Sequence, residues 1–311
     1  MTKSGNGSGV LLVCGASNTD LVCKTDRLPR AGETVASSSF DIFPGGKAAN
    51  QAVAAARCGA TVVFVGAFGD DDYGRTRRAE LAEEGIELGY CAEVAGVPSG
   101  LALITVDGAG ENQIVTVAGA NGMVRVERLD TAIEECRPAV LLFPNEAPPE
   151  VVERLATHPT PALKLCNAAP FTESLRALAA SVDYLICNEV EAAGFLGRDV
   201  RPGEDARQAV RELAGLTRRG AIITLGEHGA VGCADGEVVE APAPAVDVVD
   251  TTGAGDAFCG AFAAWLASGS AFADAVRAGV QSGALAVTRA GAQPSLPRRE
   301  QILERLGQLT G

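Results

Sequence analysis

The sequence predicts an α/β fold: a three-layer, Rossmann-like, mostly parallel sheet flanked by helices, with a small antiparallel β lid. Three observations carry this. Short β-type runs alternate with longer alanine-rich helical stretches, which is the rhythm of right-handed βαβ units. Two glycine turns, at Gly45-Gly46 and at Gly253–Gly255, open straight into helical stretches. Two further stretches break the rhythm with period-two alternation and glycine turns, as antiparallel strands do.

The clearest strands are Val10–Cys14, Thr61–Gly66, Ala139–Phe143, Ala162–Cys166, Tyr184–Cys187 and Ala221–Leu225, each followed by Gly, Pro, Asn or a polar turn. Helices are expected at Lys47–Cys58, Asp72–Glu84, Pro149–Thr157, Glu173–Ala180, Asp205–Leu216, Ala254–Ala267, Ala271–Thr288 and Arg298–Leu309. The alternating stretches lie at about residues 18–43 and 98–118. A sheet built from them is either a lid over the ligand crevice or an extension of the main sheet's edge. Residues 1–9 read as a flexible tail, and residues 10–311 as a single domain.

Composition narrows the function. The 311 residues carry 39 acidic and 26 basic side chains, a formal charge of −13. Phosphate-backbone affinity needs a Lys/Arg stripe, so nucleic-acid binding is not expected, and anionic membrane surfaces are disfavoured for the same reason. No apolar run approaches the roughly 20 residues of a membrane helix. Nine cysteines without CxxC spacing, and only two histidines, offer zinc almost no ligands. The cysteines read as small buried apolar residues in a reducing cytoplasm.

Two motifs carry chemistry. From Asp250 to Phe258 the chain passes from a β-type stretch through a glycine turn into an apolar helix. Successive backbone N–H groups there converge where the helix start adds its positive end, which makes an anion hole. Asp256 at its mouth has two readings: a base beside a bound phosphoryl group, or an ordinary first-turn aspartate. The second motif is Pro44–Ala52. Lys47 is one of only four lysines, retained beside two glycines in a chain that prefers arginine. It is either functional or a solvated first-turn lysine; Asn50, one turn beyond Gly46, either binds a polyol or sits on the helix surface. The stretch is not a P-loop, because Ala48 replaces the Ser/Thr. Phe258 likewise spoils a dinucleotide fingerprint, and the protein-kinase triplets are absent.

Together, Gly45–Ala52 with Gly59-Ala60 and Gly69–Asp71, and Asp250–Asp256, resemble the signatures of the ribokinase-like sugar kinases, the phosphofructokinase B family. The likeness runs in register from about Val10 to Leu306. It includes Gly15–Asp20, Pro29–Thr34, Asn188–Glu191 and Gly291–Ser295. What the resemblance implies is ATP-dependent phosphorylation of the primary 5-hydroxyl of D-ribose, giving D-ribose 5-phosphate and ADP. The alternatives are a kinase for 2-deoxyribose or another furanose or nucleoside, and a non-catalytic sugar sensor.

Residue by residue, the resemblance implies a sugar site of Asn18, Asp20, Gly46, Lys47, Asn50 and Glu146, with Asp256 as general base. The amides of Gly253, Ala254, Gly255 and Asp256 would cradle the transferred phosphoryl. The nucleotide would meet Asn188, Thr224, Gly226, Gly229 and Gly255, with Asn188 and Glu191 near Mg²⁺. A K⁺ ion would take Asp250, Thr252, Ala286, Arg289, Gly291 and Ser295, mostly through carbonyls. On residues alone, Asp20 and Glu146 also read as a turn aspartate and a loop glutamate. Asn188 and Glu191 also read as an N-cap and its capping-box partner, and the K⁺ positions as a C-terminal turn. A homodimer through the lid's edges is expected. Three departures stand out: Ala48 in place of glycine, Val280 where the family carries histidine or asparagine near the adenine, and Phe143-Pro144-Asn145 before Glu146.

Overall fold

A run such as Val10–Cys14, apolar on both faces, is stable only inside a sheet covered on both sides. The computed structural model, which describes residues 9–308, contains such a sheet. In chain order its described strands are β1 (Val10–Cys14), β2 (Asn18–Lys24), β3 (Ser39–Gly45), β4 (Thr61–Val65), β5 (Ala67–Gly69), β6 (Ala92–Val94), β7 (Gly100–Val106) and β8 (Asn112–Val117). They continue as β9 (Val140–Pro144), β10 (Leu163–Asn167), β11 (Tyr184–Asn188), β12 (Gly220–Thr224), β13 (Ala230–Ala234) and β14 (Glu237–Ala241). The main sheet has the order β14-β13-β12-β11-β10-β9-β1-β4. It is parallel from β12 to β4, and its far end is an antiparallel hairpin.

The helices are α1 (Lys47–Arg57), α2 (Asp72–Glu83), α3 (Val126–Cys136), α4 (Pro149–Thr157), α5 (Glu173–Leu178), α6 (Glu189–Leu196), α7 (Glu204–Ala214), α8 (Ala254–Ala267), α9 (Phe272–Ala286), α10 (Ala292–Ser295) and α11 (Arg299–Gln308). Alternate strand residues feed two cores. Leu11, Val13, Leu142 and Ile186 pack with α1, α8 and α9. Leu12, Cys14, Phe143 and Leu185 pack with α3, α4, α6 and α7. The expected strands and helices are present, with ends that coincide or differ by one or two residues; the expected helix end at Leu309 lies outside the described residues. The hairpin β13–β14, the short pair β5–β6, and α3, α6 and α10 were not among the expected elements. β13 (Ala-Val-Gly-Cys-Ala) carries mostly small residues in place of the β-branched ones that advertise a strand; at Gly232 the Phe272 ring leaves no room for a Cβ. Five of the eleven residues of α3 are charged; Leu129, Ala132 and Ile133 are buried, with Val126 and Cys136 partly buried against the same core.

The two alternating stretches form a separate four-stranded sheet, ordered β3-β2-β7-β8, and not an edge extension. Each folds as an antiparallel pair, and the pairs join through a parallel contact between β2 and β7. Alternation reports which face is covered, not strand direction. The expected tail lies outside the described residues except for Gly9, whose N–H donates to the Ala267 carbonyl at the end of α8. No described helix is long and apolar enough to cross a membrane. All nine cysteines are free thiols; seven are buried, and Cys23 and Cys136 are half-exposed.

Candidate active site

In an open parallel sheet, the groups that serve a ligand collect beyond the carboxyl ends of the strands. Here β1 leads to Asn18, β9 to Glu146, β10 ends at Asn167, β11 at Asn188 and β12 at Thr224. Above them stand the starts of α1 and α8.

α8 opens on Gly253, at φ 78° and without a side-chain cap. The Ala254 N–H is turned back on the Thr251 carbonyl at 3.3 Å, and the first helical bond runs from Ala257 N–H to the Gly253 carbonyl. Between them lie the amides of Gly255 and Asp256, in the first turn where no helical acceptor exists. A Cβ on Gly255 would meet nothing within 4 Å. The half-buried Asp256 carboxylate receives two amides, Asn50 Nδ2 on Oδ2 at 2.9 Å and Gln51 Nε2 on Oδ1 at 3.0 Å. Burial pushes its pKa up to about 6, against the pull of those amides and of Lys47; Glu146 adds to the rise.

α1 opens on Gly46, at φ 88°. A lysine in the first turn opposes the helix dipole, and Glu146 compensates. It accepts the Lys47 backbone N–H at 3.0 Å on one oxygen and the ammonium at 3.2 Å on the other. Burial alone would lower the Lys47 pKa, but Glu146, Asp256 and Glu191 raise it, so the ammonium is retained. Asp20 faces the same space: burial and then Glu146 push it up to about 6, countered by Lys47 and Arg77. Asn18 Oδ1 accepts Asn121 Nδ2 at 2.7 Å, a bond that does not engage the Asn18 amide nitrogen.

On the side where the sequence places the nucleotide, a cavity of about 230 Å³ brings together Lys47, Asn188, Glu191, Thr224, Gly253, Gly255 and Asp256 with Asn167, Cys187 and Cys259. Asn188 and Glu191 form a full capping box, each accepting the other's N–H at 2.9 Å. Burial raises the Glu191 pKa against the Asn188 amide and Lys47. Gly226 and Gly229 lie in the turn after β12 at positive φ, and a Cβ on Gly229 would come within 2.1 Å of the Ala241 carbonyl. The Thr224 hydroxyl points back at the Cys187 carbonyl at 3.4 Å. Val280 and Gln281 are both buried in α9.

Asp250 ties two segments together. It accepts Thr252 N–H and Oγ1 on one oxygen and Gly291 N–H on the other, at 2.9, 2.6 and 2.8 Å. Burial would raise its pKa, and these three donors lower it. Of the remaining predicted cation positions, Ala286 accepts from Arg289 N–H, and the Ser295 hydroxyl is bonded to the Ala292 carbonyl. Among the described residues no group of three or more His, Cys, Asp or Glu is placed to hold a metal ion.

Sequence reasoning missed Gln51, Asn121 and Asn167 as site residues. Gln51 and Asn121 are buried polar side chains, and Asn167 sits at a strand's carboxyl end. A polar residue in an otherwise apolar stripe is the signal available for Gln51.

Comparisons with known proteins agree with this architecture. The description "pfkB family carbohydrate kinase" matches residues 10–299. The chain is 36% identical over 301 residues to the ribokinase of Bacillus subtilis, covering 95% of this chain and 99% of that protein. It is 33% identical to the deoxyribokinase of Salmonella typhi, covering 95% and 98%. The structure of Arabidopsis thaliana ribokinase complexed with ribose and ATP superposes with a TM-score of 0.87 at 29% identity, over 96% of this chain and 99% of that one. With signatures, sheet order and near full-length likeness in agreement, the chain belongs to the pfkB family of carbohydrate kinases.

Proposed function

We propose that this carbohydrate kinase transfers the γ-phosphoryl group of ATP to the primary 5-hydroxyl of D-ribose. One observation carries the reading. The Asp256 carboxylate stands between a sugar-side cluster on α1 and an open helix start on α8 whose first amides lack helical acceptors. A base and an oxyanion cradle in contact are what in-line transfer to an alcohol requires.

In this reading Asp20 and Glu146 accept from the sugar's hydroxyls while Lys47, Asn18 and Asn50 donate to them, and the Gly46 backbone lets the ring approach closely. Asn50 moves its amide from Asp256 to the sugar. The freed Oδ2 takes the hydroxyl proton as the sugar oxygen attacks phosphorus, and the amides of Gly255 and Asp256 receive the equatorial charge. Lys47 remains protonated beside the transferred group. Asn188, Thr224, Gly226 and Gly229 hold the nucleotide. Asn188 and Glu191 offer oxygen ligands suited to Mg²⁺, a hard cation that offsets phosphate charge when bound. The Asp250-tied turn supports K⁺, with Thr252, Ala286, Arg289, Gly291 and Ser295 as carbonyl-rich positions around it.

The second sheet serves as the lid: the Asp20 face turns to the sugar. By register the opposite face carries Phe40, Ile42, Leu103 and Val115, which are 56%, 50%, 44% and 61% exposed. An apolar face of that kind supports a homodimer through the lid. Nine free thiols suit a reducing cytoplasm.

A coupled ADP-release assay over ribose, 2-deoxyribose, fructose 6-phosphate and adenosine, with and without K⁺, tests the assignment. Ribose is expected to lead. The Salmonella relative's deoxyribokinase activity keeps the deoxy sugar as the second reading; robust turnover of 2-deoxyribose with ribose inert would replace the first.

A further inference from the structure

Gln51 is a polar residue in the wrong place for packing alone. It is completely buried on α1, and its neighbours one turn on, Ala54 and Ala55, are buried alanines. α8 packs so closely there that a Cβ on Gly260 would come within 2.5 Å of the Gln51 carbonyl. The side-chain oxygen Oε1 has no partner, a standing cost to the fold. Both amide hydrogens, by contrast, are used. Nε2 donates to Asp256 Oδ1 at 3.0 Å and to Asn167 Oδ1 at 3.3 Å, and Asn167 donates in turn to the Ile186 carbonyl at 3.4 Å. The amide cannot be turned over, because Oε1 would then face two oxygens.

Resting on the kinase reading above, we propose that Gln51 is the positioning residue of the base: its amide, braced on Asn167, fixes Asp256 Oδ1 so that Oδ2 alone meets the sugar's hydroxyl. The two amides on Asp256 thus divide the task. Asn50 lies where the sugar binds and leaves Oδ2 when the sugar arrives. Gln51 has no access to the crevice and stays. The proton passes from the primary hydroxyl to Oδ2, the sugar-oxygen-to-phosphorus bond forms, and the bridging phosphorus–oxygen bond breaks with its electron pair leaving on ADP. Lys47 on α1, Glu146 beyond β9 and the Cys259 thiol in α8 are the charged or ionisable groups that act on Asp256, and all are retained in the variants below.

The test uses the full chain with ribose, ATP and Mg²⁺. Gln51→Met is expected to lower kcat roughly 10- to 100-fold through misalignment, with KM for both substrates within about threefold. The acid limb of kcat moves to higher pH, because the carboxylate has lost a donor. A ¹³C-carboxyl NMR titration of Asp256 in the free protein shows the same upward move. Wild-type kcat with an unmoved acid limb overturns the inference and leaves the kinase reading standing. If the wild-type protein releases no ADP with any sugar, the kinase reading falls and the titration alone decides: a raised Asp256 pKa supports Gln51, an unmoved one overturns it. Should Gln51→Met fail to fold, Gln51→Glu, matched in shape but with an acceptor facing the carboxylate, carries the same readouts with a larger upward move expected.

Discussion

α1 and α8 begin alike and serve differently. Each opens on a glycine at positive φ with no side-chain cap. At Gly46 the space is closed: a Cβ would come within 2.7 Å of the Ala16 carbonyl and 2.8 Å of the Asn18 amide. The first amide of α1 is already taken, by the Glu146 carboxylate. At α8 the first amide, of Ala254, is turned back on the Thr251 carbonyl, and a Cβ on Gly253 would come within 3.0 Å of Ala292. The amides of Gly255 and Asp256 that follow, however, have no helical acceptor, and a Cβ on Gly255 would meet nothing within 4 Å. A glycine turn before a helix is therefore not in itself an anion site. Whether the protein has spent the helix start on its own carboxylate decides: one start is spent on fixing a lysine, and the other is the one proposed to take a phosphoryl group.

The sharpest way to break this contrast is at the base. Asp256→Asn keeps the shape of the α8 start but removes its proton acceptor, and kcat is expected to fall by a factor on the order of 10² to 10⁴. Ribose affinity, read by calorimetry, should change only a few-fold; unchanged turnover would exclude Asp256 as the base. The glycines come next. Gly46→Ala forces a side chain into backbone at positive φ and should destabilise the fold by about 2–4 kcal/mol in thermal or denaturant unfolding. Gly255→Ala enters empty space on a helix and should leave stability within about 0.5 kcal/mol, yet raise KM for ATP roughly tenfold, about 1.4 kcal/mol. If both variants merely unfolded the protein, the contrast between closed and open starts would be wrong.

Glu146→Gln is expected to act more gently, retaining an acceptor for the Lys47 amide but losing the charge. KM for ribose should rise on the order of tenfold, the scale of one charge-assisted hydrogen bond, with kcat less affected. The smallest effect is in pH. Asp256 and Asp20 are both pushed up to about 6, so activity, which needs the carboxylates ionised, declines as pH falls through about 6. Their contribution to stability runs the other way. A carboxyl whose pKa is higher folded than unfolded favours the folded state at low pH, and that contribution is lost as pH rises through about 6. Comparing thermal melts of wild type and Asp256→Asn between pH 4 and 7 isolates it; a stability difference that does not vary with pH would contradict the raised pKa.

Much of this was legible in the chain. The alternation of β-type runs with alanine-rich helices gave the sheet, and the glycines before Lys47 and Ala254 marked both helix starts. Local signals stopped there. The bonds that define the site join residues far apart: Glu146 to Lys47 across 99 positions, Gln51 to Asp256 across 205, Asn121 to Asn18 across 103. No periodicity encodes such pairings. The parallel contact between β2 and β7 was hidden for a related reason, since a strand's alternation is the same whichever way its neighbour runs.

The amide that Asn50 lays on Asp256 Oδ2 also bears on thrift. A water molecule that reaches the crevice ahead of the sugar finds one of the two lone pairs of Oδ2 already engaged. In the proposed mechanism an alcohol that draws Asn50 away frees that position, and background ADP formation without sugar is the quantity that reads the difference.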